Sequence, residues 1–119
     1  MSESVLKAKS FQLAVRIIKL YQYLIGDKKE YVLSKQLLRS GTAIGALIRE
    51  AQNAESKADF IHKLGIAQKE CDETIYWLEL LQETNYLQPK EFDSIYIQAT
   101  ALLKMTRSAI ITSKKTYNS

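Results

Sequence analysis

One heptad seam constrains this chain more than any other feature. Phe60, Leu64, Ala67, Cys71, Thr74, Leu78 and Leu81 follow one another at alternating steps of four and three without a slip. Steps of that kind place all seven side chains on one stripe of an α-helix and match the left-handed packing of helical bundles. A strand would scatter them over both faces. The seam makes this stretch a long core helix, and Ser56-Lys-Ala-Asp59 ahead of it reads as a capping box with Asp59 in place of the usual Glu or Gln. Asn85 is a suitable stop.

The rest of the chain fits the same architecture. One proline and four glycines in 119 residues are too few for the turns of a strand-rich domain, and no repeat, linker or low-complexity segment divides the sequence. The expectation is one domain, all-α, built as an antiparallel up-down-up-down four-helix bundle with helices over about 4–25, 34–54, 56–84 and 89–114. Gly26-Asp27 ends the first helix, Ser34 is a candidate N-cap for the second, and Pro89 suits the first turn of the fourth. The polar segment from Ser113 to Ser119 is expected to fray.

Two local features ask for explanation. The first helix carries two apolar stripes, one through Phe11, Ala14, Val15, Ile18, Tyr21 and Ile25, the other through Leu13, Ile17, Leu20 and Leu24. That exceeds what one core can bury, as do Ile66, Trp77 and Leu80 off the seam, and the surplus suggests a subunit interface. Within the second helix, whose buried face is Leu37, Ile44, Ile48 and Ala51, the run from Ser40 to Ala46 is unusually small. Gly41 and Gly45 each cost about 1 kcal/mol of helix propensity. Close approach of a neighbouring helix would offset that. A phosphate-binding loop is the sharper reading, but its lysine and flanking strand are missing.

Candidate chemistry is sparse. His62 is the single histidine, so no nucleophile–base triad or His-rich metal site can be assembled, and a surface or interface position is expected for it. Glu70 and Glu73, with Glu50 facing them, could be metal ligands, but Arg39, Arg49 and nearby lysines make a salt-bridge network the simpler expectation. Cys71, the lone cysteine, sits in the seam as a small core residue. No cofactor is expected. The start of the chain lacks the pattern of a signal peptide and no apolar run spans a bilayer, so the expectation is a cytoplasmic protein with no membrane association.

Charge is more informative in its distribution than in its total of +4. Residues 55–85 carry seven acidic and three basic side chains, which leaves the excess of cations elsewhere. Arg16 and Lys19 share the polar sector of the first helix. Lys35, Arg39 and Arg49 fall on one face of the second, and Lys104, Arg107 and Lys114, with Lys115 adjacent, line the fourth. These nine are the candidate nucleic-acid-binding residues, with Tyr23 and Tyr117 the few aromatics near them. The competing reading is a set of solvated faces, partly answering the acidic third helix of a neighbour.

The segment Ser34-Lys-Gln-Leu-Leu-Arg-Ser-Gly-Thr-Ala-Ile-Gly-Ala-Leu-Ile-Arg-Glu-Ala-Gln resembles the second helix of the four-helix-bundle proteins encoded in intervening sequences of bacterial large-subunit ribosomal RNA genes. Ser56-Lys-Ala-Asp-Phe-Ile-His-Lys-Leu-Gly-Ile-Ala and Lys69-Glu-Cys-Asp-Glu-Thr-Ile-Tyr-Trp-Leu-Glu-Leu-Leu resemble that family's third helix. Together they span the 48 residues from Ser34 to Leu81. The resemblance implies an antiparallel bundle assembling as a closed homo-oligomeric ring, a pentamer. Similar bundles are accessory variability determinants of diversity-generating retroelements, where they bind nucleic acid and a reverse transcriptase. Ala43 and Leu47 depart from the serine and asparagine usual in the family, which removes any polar role there. The function this implies is a non-catalytic scaffold contacting RNA or DNA non-specifically through basic faces. The alternative is a protein–protein adaptor, for example for a reverse transcriptase; an enzyme comes third.

Overall fold

The computed structural model describes residues 3–118, and side chains from 5 to 116. Four helices follow in order: α1 (Glu3–Gly26), α2 (Leu33–Gln52), α3 (Lys57–Glu83) and α4 (Pro89–Asn118). Side-chain pairs fix their directions. Moving from Gly41 to Gly45 on α2 moves the contact on α1 backward from Ile17 to Ser10. Arg39 reaches Glu70 while Lys63 reaches Glu50, so α2 and α3 also run oppositely. Cys71 donates to the Ala99 carbonyl, and Arg16 reaches Ser94. Helices adjacent in sequence pack on one another, α1 and α4 close the bundle along its thinnest seam, and the backbones of the diagonal pairs α1/α3 and α2/α4 stay apart. That is the up-down-up-down bundle expected, 51 × 22 × 19 Å in extent.

The heptad seam of α3 forms the centre of the core. Leu64, Ala67, Cys71, Thr74, Leu78 and Leu81 are buried and Phe60 is half-buried at the end. Thr74 is tolerated there because its hydroxyl is satisfied: it lies 2.9 Å from Ser40 Oγ on α2 and 2.8 Å from the Glu70 carbonyl. Burial pushes the Cys71 thiol up to about 12, so it stays a neutral core group. From α2, Leu37, Ile44, Ile48 and Ala51 all join the core.

On α1 the structure decides between the two stripes. Leu13, Ile17 and Leu24 are fully buried and Leu20 packs against them. The Phe11 stripe faces outward, with Phe11 56%, Val15 37% and Ile18 40% exposed. The small run on α2 explains the choice. A Cβ built on Gly41 would lie 2.8 Å from Ile17 Cγ2, closer than side-chain atoms pack. Gly41 is thus where the α1 and α2 backbones approach, and Ile17 fills the space its missing side chain leaves. Gly45 is looser, its Cβ position lying 3.4 Å from Ser10 Oγ.

Helix ends differ from the sequence expectation in two places. Ser34 is not the cap of α2: it lies inside the helix, and the buried Glu30 carboxylate does the capping. It accepts the amides of Val32, Leu33 and Ser34 at 3.1, 2.9 and 2.7 Å, while Ser34 Oγ donates to the Glu30 carbonyl. Burial pulls the Glu30 pKa up, and the amides outweigh it and hold the pKa below its ordinary value. Gly26-Asp27 ends α1 as expected, with the left-handed residue of the connection at Lys29, φ 55°. α4 continues to Asn118 instead of ending near Lys114, with Ser113 buried and Lys115 favourable near the helix's negative end. Two other ends match the sequence. Ser56 Oγ accepts from the Asp59 amide at 3.0 Å, though Asp59 reaches back to the Glu55 amide rather than to that of Ser56. Asn85, at φ 69°, closes α3 with Tyr86 N–H donating to the Leu81 carbonyl and its own N–H to that of Gln82, a Schellman motif.

Two outcomes follow. Gly41→Ala should lower stability by roughly 1–3 kcal/mol through overpacking on Ile17, whereas Gly45→Ala should be neutral or stabilising. Equal melting temperatures for the two variants would contradict the close crossing at Gly41. For Glu30, a lowered folded-state pKa means its stabilisation is present above the ordinary value of 4.5 and lost as pH falls through the folded value. Glu30→Gln should therefore be about 1–2 kcal/mol less stable at neutral pH in urea titrations, and the gap should close in acid. A gap unchanged down to pH ~3, below the ordinary carboxylate range, would remove the capping role.

Candidate functional site

Topology gathers charge that the sequence disperses. One end of the bundle is made by the start of α1, the end of α2, the start of α3 and the end of α4. Residues 5–11, 47–63 and 107–116 there carry eight Lys and Arg against three carboxylates. The opposite end, residues 24–36 and 79–93, carries four against six. The ends are far apart in a body 51 Å long, compared with a screening length of about 8 Å at physiological salt, so each presents its own field.

The nine candidate residues are not equivalent. Arg107, Lys114 and Lys115 on α4 lie at the basic end with exposed side chains, Lys104 lies further along the same helix, and none of the four forms an ion pair among the described residues. Arg49 belongs to the same end, its guanidinium lying 5.9 Å from the Phe11 ring centroid. The others are elsewhere or engaged. Arg39 pairs with Glu70 at 3.2 Å and with Glu73, which holds the Glu73 carboxyl below its ordinary range; burial and Glu73 push Glu70 the other way. The expected salt-bridge network is thus present, and charge reversal of Arg39 would set three carboxylates together instead of being neutral to stability. Arg16 donates to Ser94 Oγ at 2.7 Å and Gln98 Oε1 at 3.1 Å, tying α1 to α4 beside Lys19. Lys35 is at the opposite end. Because α2 and α4 occupy opposite corners, their basic stripes do not merge into one surface.

Three lysines at the basic end escaped the sequence reading: Lys7, Lys9 and Lys57, all exposed. Lys57 borders a cleft of about 150 Å³ with Leu6, Phe60, Ser108, Ala109, Thr112 and Ser113, so the starts of α1 and α3 meet the end of α4 there. The signal that could have found them is the topology itself: in an up-down bundle, alternate helix ends are neighbours. Tyr117, expected near this surface, lies outside the described side chains.

Little else has the form of a chemical site. A cleft of about 380 Å³ along the α1–α4 seam is lined by Arg16, Lys19, Leu20, Tyr23, Leu87, Glu91 and Ile95. Among the described residues no three His, Cys, Asp or Glu side chains gather as metal ligands, His62 is exposed, and no helix is long and apolar enough to cross a membrane.

The family profile of the 23S rRNA-intervening sequence protein matches residues 3–108. The chain belongs to that family. It is also similar to a crystal structure, at 1.70 Å, of a protein of unknown function from the S23 ribosomal protein family of Bacteroides thetaiotaomicron. The two are 53% identical, the match covers 92% of this chain and 98% of that one, and the TM-score is 0.91. No curated protein matches the chain. Neither the family description nor that of the Bacteroides protein assigns a catalytic activity.

Proposed function

We propose that this family member is a non-catalytic, self-assembling helical scaffold of the cytoplasm that binds RNA or DNA without sequence preference through its basic end. The observation carrying the reading is the axial separation of charge: Lys7, Lys9, Lys57, Arg107, Lys114 and Lys115 come from three helices to one end and are exposed. Exposed lysines and arginines that form no ion pair suit phosphate contacts, which give affinity without base readout. Self-assembly is supported by the exposed Phe11, Val15 and Ile18, and a ring such as the expected pentamer would multiply weak contacts through avidity. The buried, protonated Cys71 suits a reducing compartment. A second reading, an adaptor for a protein such as a reverse transcriptase, draws on Ile97 and Ile111, exposed on one face of α4 on either side of Lys104.

Fluorescence anisotropy with a labelled RNA and a labelled duplex separates the two. Binding should be tight at roughly 50 mM salt and weaker by orders of magnitude at about 200 mM, as counterion release requires. Charge reversal of Lys57, Lys114 and Lys115 together should weaken it at least tenfold, while reversal of Lys28, Lys29 and Lys35 should change it little. Absence of binding at the lower salt would favour the adaptor.

A further inference from the structure

We infer that the cleft between the starts of α1 and α3 and the end of α4 receives one unstacked base of a single-stranded nucleic acid. The inference rests on the nucleic-acid binding proposed above and names the form of strand that the basic end takes in. The cleft is a mixed surface. Leu6, Phe60 and Ala109 supply its apolar part, and Ser108, Thr112 and Ser113 bring three hydroxyls to it from one face of α4. Lys57, the first residue of α3, borders it with its ammonium 5.5 Å from the Phe60 ring centroid.

The three hydroxyls are unusual for this bundle. A serine or threonine inside a helix can donate to a carbonyl three or four residues earlier, as Thr42, Thr74, Thr100 and Thr106 do here. The hydroxyls of Ser108, Thr112 and Ser113 have no hydrogen-bond partner among the described residues, although Ser113 is only 8% exposed. A hydroxyl both donates and accepts, so three of them can meet the edge of any base. Size agrees with chemistry. A cleft of about 150 Å³ has room for one aromatic ring but falls below the roughly 300–1,000 Å³ of pockets that enclose a whole small ligand. The occupant is therefore a ring attached to something larger, and the surrounding charge says what. Lys7, Lys9, Lys57, Arg107, Lys114 and Lys115 are exposed at this end and suit the phosphates on either side of the base. In a duplex the bases are paired and stacked, so only phosphates reach these cations; a single strand offers both.

Anisotropy with a labelled single-stranded RNA and the duplex of the same sequence tests this at about 50 mM salt, where phosphate contacts are strong. Ser108→Leu with Thr112→Leu fills the cleft and removes two hydroxyls at exposed positions of α4, leaving every lysine in place. The double variant should bind the single strand roughly tenfold more weakly, the order of one lost base contact, and the duplex as well as the parent does. Circular dichroism should show undiminished helix. On the parent protein, a single strand carrying a photoreactive thiouridine should cross-link to Phe60 or within residues 108–113. Equal loss for strand and duplex, no loss for either, or adducts confined to other residues would overturn the cleft as a base site. A parent that binds neither RNA would instead remove the nucleic-acid function on which the inference rests.

Discussion

The approach of α1 to α2 at Gly41 governs what the rest of the molecule presents to solvent. With no side chain at that position, Ile17 enters the space and α1 is held in one rotation about its axis. Leu13, Ile17 and Leu24 then turn inward, and Phe11, Val15 and Ile18 turn out. A residue with a Cβ at 41 would push the helices apart or rotate α1, and a different stripe would be exposed. Two glycines in a helix interior oppose helix formation by about 1 kcal/mol each, and the packing they permit is the physical reason for one of them. Gly45, with ordinary van der Waals room at its Cβ position, does not carry the same constraint.

From this fixed bundle the charge pattern follows without any special binding loop. Up-down-up-down order places the beginnings of α1 and α3 beside the ends of α2 and α4, so residues far apart in sequence share one end. The lysines and arginines there outnumber carboxylates, and the opposite end has the reverse balance. A total of +4 understates this, because opposing ends cancel in the sum but not in the local field. The acidic outer face of α3 is a separate feature, set by Asp72, Glu79 and Glu83 on the side away from the core.

The four helices were legible because their signals are periodic and local: the α3 seam, Pro89 opening α4, Ser56 and Asn85 bounding α3. What sequence reasoning missed depends on tertiary contact. Two apolar stripes on α1 look equally fit for a core until the Gly41 crossing selects one. Ser34 is a good cap by residue type, but the buried Glu30 reaches three amides and displaces it. Arg39 looks like an available cation until α3 brings Glu70 and Glu73 to it. The basic end was only half visible, since Arg107, Lys114 and Lys115 stand out as a cluster on one helix, whereas Lys7, Lys9 and Lys57 are single residues made neighbours by the fold.

The central claim, that nucleic acid meets one end of the bundle, is tested most directly by lysine footprinting. Acetylation read by mass spectrometry, with and without bound RNA, reports each lysine separately. The account predicts that RNA protects Lys7, Lys9, Lys57, Lys114 and Lys115 and leaves Lys28, Lys29, Lys35 and Lys90 at the opposite end as reactive as before. Protection of the second group, or uniform protection along the bundle, would contradict it.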